Sequence, residues 1–291
     1  MFDKSLDYIK KQVPAIKRVI FVPGWQTDGK SQKDQTDFLK TIYVQAEIET
    51  RFWDSLRPWM IAKTNAEKEG KEIATEWRKS GESFESTVFV GHSLGGRVVA
   101  HALAEMGRQP LMDHAVLLGA AIDNDHSCVD LLGRSDSASN IGGTIGPVLN
   151  CSNENDGVLR YVYGNREWSK QALGLMGPAK PHVGLIDSHL SANGKIFADG
   201  KISMRSFAPG DIPREEMKML SIDELDRAIE IIQRAGGIDQ AVKRSAIKDS
   251  SERQEKAEGY ISDALQSIYT YWRLDEHESL VYLELLRKTL Q

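Results

Sequence analysis

The stretch Gly91-His92-Ser93-Leu94-Gly95-Gly96 lies between two segments of different periodicity and decides the fold. Before it, residues 86–90 are short, apolar and rich in β-branched side chains, which is typical of a buried strand. After it, residues 97–106 are typical of a helix. A serine among glycines between a strand and a helix indicates a tight turn that lifts the serine hydroxyl out of the sheet. The plainer interpretation is a glycine-rich turn in which Ser93 only caps the helix.

Segments typical of strands alternate with segments typical of helices on both sides of this turn. The further predicted strands cover residues 17–22, 45–53, 115–120, 147–152 and 182–187, and the predicted helices cover residues 2–13, 31–43, 60–79 and 158–168. This alternation indicates an α/β fold with a doubly wound, mostly parallel sheet. Residues 194–213 contain several glycines and prolines, so we expect a long loop or a small hairpin around Asp199-Gly200.

The pattern changes beyond residue 215, where the sequence is compatible with helices alone and a capping pattern begins at Ser221. We therefore expect an α/β domain over residues 1–215 and a helical C-terminal extension over residues 216–291. The polar segment 123–146 is rich in glycine and serine, and it lies where a lid or cap would be inserted. The C-terminal helices are a candidate surface for a homodimer or a protein partner.

Composition argues against several classes of function. The 291 residues carry a net charge of −5, which suggests neither a nucleic-acid partner nor an anionic membrane surface. The longest apolar run, residues 115–122, is far shorter than the roughly 20 residues that span a bilayer, and the first residues lack the apolar core of a secretion signal. We expect a cytoplasmic protein in which Cys128 and Cys151 are reduced. The sequence has no nucleotide-binding glycine loop and no metal-ligand spacing, so no cofactor and no metal is expected.

A serine hydroxyl becomes a strong nucleophile when a histidine takes its proton and an acid orients that histidine. One known arrangement for a serine on such a turn has the three groups after strand ends in the chain order serine, acid, histidine. Ser93 follows the third predicted strand, Asp156 the fifth and His189 the sixth. Because parallel strands end at one edge of the sheet, the three side chains are expected to meet there. The sequence therefore predicts Ser93 as nucleophile, Asp156 as acid and His189 as base.

Each partner of the serine has a competitor. Asp123 and Asp125 follow the fourth predicted strand and are alternative acids. His182 is an alternative base, although it begins the last predicted strand and is therefore expected at the opposite edge of the sheet. Asp187 is an alternative group for orienting His189, which we set aside because neighbouring strand residues alternate between the two faces.

The negative charge that develops on a substrate oxygen needs two backbone N–H donors. The N–H of Leu94 is the first, because it comes directly after the serine at the start of a helix. The second is expected from the loop after the first strand, from Trp25 or Gln26, where Gly24 permits a close approach of the backbone. The tight turn that carries Ser93 is called the elbow here, and Gly91, His92 and Gly95 are assigned to it.

The segment 19–24, the turn 91–96 and the order serine, aspartate, histidine resemble the α/β-hydrolase superfamily over about residues 15–200. Gly-His-Ser-Leu-Gly-Gly-Arg together with Asn-x-Ser-x-x-x-Asp-x-Val-Leu is similar to a poorly characterised lipase-like branch. Two features depart from the pattern of many lipases and esterases. The first loop begins Pro-Gly in place of His-Gly, and Gly194 is followed by Lys195 where a Gly-His pair is typical.

The resemblance implies a serine hydrolase that cleaves a small-molecule or lipid carboxylic ester through an acyl-enzyme on Ser93. The same three groups also serve amidases, thioesterases and acyltransferases, and the residues do not choose among these. A different class of function is a hydrolase-fold interaction protein with a degraded active site. The unusual histidine segment and the appended helices favour that alternative.

Overall fold

The computed structural model describes residues 5–25, 29–57, 59–107, 112–125, 144, 146–156, 158–163, 167, 170–180, 184–191, 195–198, 201–206 and 280–291. The strands are β1 (Arg18–Val22), β2 (Glu47–Thr50), β3 (Thr87–His92), β4 (His114–Leu118), β5 (Val148–Asn153), β6 (Leu185–Leu190), β7 (Lys195–Ala198) and β8 (Lys201–Ser206). The α-helices are α1 (Leu6–Gln12), α2 (Gly29–Ile42), α3 (Trp59–Ser80), α4 (Leu94–Met106), the single turn α5 (Leu173–Met176) and α6 (280–290). A 3₁₀ turn (Val13–Ala15) follows α1, and a π-helical segment (Val158–Tyr163) follows β5.

The described strands form a single sheet in the order β2-β1-β3-β4-β5-β6-β7-β8. The first six strands of this order are parallel, and β7 and β8 are antiparallel to their neighbours. Ala198 pairs with Lys201, so the last two strands form a hairpin about residues 199–200. The mostly parallel sheet and the hairpin are both as the sequence predicts.

Helices cover both faces of the sheet because the central strands are apolar on both sides. One apolar cluster packs side chains of α3, α4 and α5 on the sheet, including Ile73, Val98 and Leu173. The other packs side chains of α1, α2 and α6 on the opposite face, including Ile9, Leu39 and Leu286. The buried thiol of Cys151 lies in this second cluster, where burial raises the pKa of the thiol.

The last parallel strand begins later than the sequence predicts. The predicted strand covers residues 182–187, whereas β6 is Leu185–Leu190. Ile186 and Leu190 belong to the apolar cluster that includes α6, so the strand continues to its final apolar residue. The polar residues Asp187 and His189 remain paired with β5, because the side chains of both contact Ser152 of that strand. His189 is therefore inside β6 and does not follow it.

The chain divides into one compact unit of residues 1–212 with 278–291 and a second of residues 213–277, which lies outside the described residues. Helix α6 belongs to the unit that contains the sheet, so the end of the predicted extension is not separate from it. The domain boundary at residues 215/216 stays a prediction, as does the lid or cap, since residues 126–143 and Cys128 also lie outside the described residues. No helix within the described ranges has the length and hydropathy needed to cross a membrane.

Candidate active site

Ser93 occupies a strained turn between β3 and α4. Its backbone angles are φ +53° and ψ −121°, a region that residues with side chains rarely adopt. Neighbouring backbone holds it there: its N–H donates to the carbonyl of Leu118 at 2.9 Å, and its carbonyl accepts from the N–H of Ala121 at 3.0 Å. The Ser93 hydroxyl caps no backbone group of α4, so capping does not explain the serine.

Glycines are required around Ser93 by close backbone contacts. A Cβ on Gly95 would lie 2.2 Å from the carbonyl oxygen of Val22, and a Cβ on Gly91 would lie 2.5 Å from the carbonyl oxygen of Gly95. Backbone atoms cannot move aside as a flexible side chain can, so the elbow and the end of β1 fit only without these side chains. Gly24 approaches the nucleophile itself, since its Cβ would lie 3.0 Å from Cβ of Ser93.

Two of the predicted oxyanion donors, Leu94 and Trp25, lie at this same edge of the sheet. The N–H of Leu94 is the first of α4 and has no partner within the helix, as is general for the first turn. Trp25 fixes the loop after β1, because its Nε1–H donates to the carbonyl of Arg57 at 2.7 Å and its ring packs edge-on against Trp59 at 5.3 Å. Gln26 lies outside the described residues.

Asp156 is buried three residues beyond β5. Its Oδ1 accepts from the N–H of Leu159 at 2.8 Å, and its Oδ2 accepts from the hydroxyl of Tyr282 at 2.6 Å. Two donors from different elements thus fix the plane of the carboxylate.

The structure does not bring His189 to Ser93. The Nδ1 of His189 lies 2.8 Å from Oγ of Ser152, and its Nε2 lies 2.9 Å from Oε1 of Glu154. His92 and Ser188 are in register across β3, β4, β5 and β6, so the next residues of their strands, Ser93 and His189, are three strands apart. Three strand spacings are roughly 14 Å, which is more than the two side chains can bridge.

A second serine–histidine–carboxylate set therefore lies on β5 and β6. The hydroxyl of Ser152 donates to the carboxylate of Asp187, whose Oδ1 also accepts from Nδ2 of Asn150 at 2.6 Å. Because a hydroxyl has one proton, Ser152 then accepts from Nδ1–H of His189. Ser152 is fully buried in a regular strand, so it is not accessible to a substrate.

The polar set on β5 and β6 corrects the sequence argument about Asp187. Residues two apart in a strand share a face, so Asp187 and His189 point the same way and are joined through Ser152. Burial raises the pKa of Asp187 to about 6, against the opposing effect of its hydrogen bonds with Asn150 and Ser152.

The alternative acids after β4 are engaged in a separate charged cluster. Asp123 accepts from the hydroxyl of Tyr163 and from Nζ of Lys170, and Lys170 also pairs with Asp125 at 3.7 Å. Arg97, the last residue of the sequence motif, supports this cluster because its buried guanidinium donates to Tyr163 and to the carbonyl of Ala121. These contacts give Arg97 a structural role in holding the segment after β4.

The other described histidines do not contact the Ser93 hydroxyl. Burial lowers the pKa of His92 to about 4 and that of His101 to about 4, so both rings are neutral at pH 7. His92 packs 6.2 Å from the ring of Tyr282, measured between ring centroids. His114 is buried at the amino end of β4 and binds Asp113 through Nδ1 at 2.7 Å. His126, His182 and His277 lie outside the described residues.

The sheet order and the position of the elbow decide the fold type. Ser93 follows a central parallel strand, and two further parallel strands, β4 and β5, lead to the buried Asp156. The fold is of the α/β-hydrolase type. The sequence predicted Ser93 and Asp156 as site residues but gave no sign of Tyr282. Tyr282 is 126 residues from Asp156 in sequence, and only the packing of α6 brings its hydroxyl to the carboxylate.

Comparison with known proteins gives distant structural similarity only. No protein family matches the chain, and no curated protein matches it. Similar solved structures include esterase PE8, with 15% identity and a TM-score of 0.36 over 62% of this chain and 86% of that chain. The Pyrobaculum calidifontis esterase has 15% identity and a TM-score of 0.35 over 60% and 67% of the two chains. Esterase B from Lactobacillus rhamnosis has 10% identity and a TM-score of 0.35 over 61% and 66%.

Proposed function

We propose that this protein is a serine hydrolase that cleaves carboxylic esters through an acyl-enzyme on Ser93. The observation that carries the proposal is the backbone of Ser93, which stands at φ +53° between a parallel strand and a helix. Such backbone strain costs about 1–3 kcal/mol. A serine that only caps a helix needs no such strain, whereas a nucleophile that must project from the sheet does.

In the proposed reaction the Ser93 oxygen attacks the ester carbonyl carbon, and negative charge collects on the carbonyl oxygen. The N–H of Leu94 donates to that oxygen, together with an N–H of the β1 loop from Trp25 or Gln26. A histidine takes the serine proton and gives it to the leaving alcohol, and Asp156 stabilises the imidazolium. Water then attacks the acyl-enzyme by the same steps and releases the acid.

His189 is the proposed base, and this role requires a conformational change. In the described conformation Ser93 and His189 are three strands apart. The His189 ring must therefore leave Ser152 and Glu154, and the end of β6 must separate from β5. His182 is the alternative base. Variants of the two histidines distinguish them, as described in the Discussion.

A lipase-like preference for apolar acyl chains is supported by exposed side chains near the β1 loop. The segment between β2 and α3 is fastened to that loop, because Nε1 of Trp53 donates to the carbonyl of Pro23 at 2.9 Å. Large apolar side chains of this segment and of the start of α3 are more than half exposed: Phe52, Leu56, Met60 and Ile61. Exposed apolar side chains that lie close together in the sequence, as these do, are candidate contacts for an apolar ligand.

A second candidate function is a hydrolase-fold interaction protein that turns over no substrate. The observation that favours it is the position of His189, whose ring nitrogens bind Ser152 of β5 and Glu154, the residue after β5. Such a protein would keep the elbow for structural reasons alone.

Labelling with a fluorophosphonate tests the two candidates. The reagent phosphonylates an activated serine, so we expect wild-type protein to be labelled and Ser93→Ala to remain unlabelled. Ser83→Ala is the control, because it removes an exposed serine hydroxyl between α3 and β3, where Ser83 accepts from the N–H of Glu85, and should keep Ser93 intact. A folded wild-type protein that resists the reagent would rule out the hydrolase and leave the interaction protein. Aryl esters of increasing acyl length then measure the acyl preference.

A further inference from the structure

We propose that Tyr282 is a positioning residue of the active site, which holds the carboxylate of Asp156 toward the base. The inference rests on the proposed function of Ser93 and extends it to the last helix of the chain. It assigns to α6 a part in catalysis that its sequence does not suggest.

The hydroxyl of Tyr282 binds both the acid and the short helix α5. Its hydroxyl lies 2.6 Å from Oδ2 of Asp156 and 3.0 Å from the carbonyl oxygen of Gly174. Both are acceptors, so the single hydroxyl proton is directed toward them, with the shorter bond to the carboxylate. A hydrogen bond to an ionised carboxylate is roughly twice as strong as one between neutral groups.

The ring of Tyr282 stands between the nucleophile and the acid. It lies against Gly119, the residue directly after β4, where an added Cβ would meet the ring at 2.6 Å. Strand β4 lies between β3, which leads to Ser93, and β5, which leads to Asp156. The ring of His92, the residue before the nucleophile, is another neighbour, with 6.2 Å between the ring centroids. Tyr282 thus lies at the edge of the sheet where the base must contact both Ser93 and Asp156.

Helix α6 fixes this tyrosine in place. Tyr282 is fully buried, and its neighbours Leu285 and Leu286 pack into the apolar cluster beneath the sheet. Further along the helix, Thr289 donates to the carbonyl of Leu285 at 2.7 Å, so its oxygen accepts from the hydroxyl of Ser188 in β6 at 2.5 Å. A side chain held this firmly can orient its partner at little further entropic cost.

Tyr282→Phe isolates the hydroxyl, since the ring and its packing remain. Loss of a hydrogen bond to a charged group corresponds to about a 10- to 100-fold fall in rate if the bond acts in the transition state. We expect that fall in kcat on an aryl ester, with KM changed less than twofold. The acid limb of the pH–rate profile, which reports protonation of the base, should move to higher pH, because a carboxylate with one donor fewer stabilises the imidazolium more strongly.

Tyr43→Phe is the matched control. Tyr43 is also fully buried, and its hydroxyl lies 3.3 Å from Nε2 of His114 at the amino end of β4, far from the elbow. Both variants lose one buried tyrosine hydroxyl. A merely structural role predicts that both lower the unfolding midpoint and that neither changes the pH profile.

Fluorophosphonate labelling separates failure of this inference from failure of the proposed function. Labelled wild type with at least tenfold slower labelling of Tyr282→Phe supports the positioning role. If Tyr282 acts through Asp156, the double variant Tyr282→Phe/Asp156→Asn is labelled no more slowly than Asp156→Asn alone. Labelled wild type with equally fast labelling of Tyr282→Phe overturns the role and leaves the hydrolase intact. Absence of labelling in folded wild type overturns both.

Discussion

Gly95→Ala tests whether the elbow depends on the close contact between α4 and the end of β1. The new Cβ would lie 2.2 Å from the carbonyl oxygen of Val22 and 2.5 Å from that of Pro23. Both are backbone atoms, so α4 or β1 must shift, and overpacking of this kind costs about 1–3 kcal/mol. At an m-value of about 3 kcal/mol/M, that cost lowers the urea midpoint by about 0.3–1 M.

The same shift should disable the nucleophile. Gly95 is two residues beyond Ser93, so the displacement moves the hydroxyl relative to the Leu94 N–H, and a misplacement of about 1 Å costs about 100-fold in rate. Gly81→Ala is the control, because Gly81 has φ +65° but nothing lies within 4 Å of its added Cβ. It should cost about 1–2 kcal/mol through backbone conformation alone and leave labelling of Ser93 unchanged. A Gly95→Ala protein with the wild-type midpoint and labelling rate would refute the steric argument.

Two further predictions concern the polar groups of β6. We expect His189→Ala to abolish turnover of an aryl ester and His182→Ala to retain most of it. The reverse result assigns the role of base to His182. Turnover by both variants excludes both histidines as the base. For Asp187→Asn, the stability relative to wild type should increase as the pH rises from about 4 to about 6, by up to about 3 kcal/mol. The sign follows from the raised pKa of about 6: the folded wild type binds the extra proton below that pH and loses the associated stability as the pH rises through it. Urea unfolding of both proteins across this range measures the difference, and a pH-independent difference would contradict it.

The elbow could be predicted from sequence because its causes are local. A β-rich apolar run, glycines on both sides of Ser93 and a helical run follow one another within about 20 residues, and the contacts of Gly91 and Gly95 explain why no other residue fits there. The parallel sheet followed for the same reason, since each strand and helix has its own periodicity. The contact of Gly95 with Val22 is long-range, but the residue pattern that indicates the turn lies within the turn itself.

The surroundings of the acid and the base could not be predicted in the same way. The polar sequence Ser188-His189 predicts the end of a strand. In the structure Ser152 of β5 and Glu154 after it bind the two ring nitrogens of His189, so β6 continues to Leu190. Tyr282 looked like one aromatic residue among several in a helical tail, and only the packing of α6 on the sheet brings it to Asp156. Both outcomes depend on partners at least 35 residues away in sequence.

Asp156 and Asp187 differ in the groups that hold them, and this difference supports Asp156 as the acid. Asp156 follows β5, and its two oxygens accept from a backbone N–H and from the Tyr282 hydroxyl. Asp187 lies inside β6, and its carboxylate accepts from Asn150 and Ser152 of β5. The partners of Asp187 thus hold one strand to the next, whereas the Tyr282 hydroxyl reaches Asp156 from a separate helix. The hydroxyl that α6 supplies is therefore a reason to place the acid after β5 and not within β6.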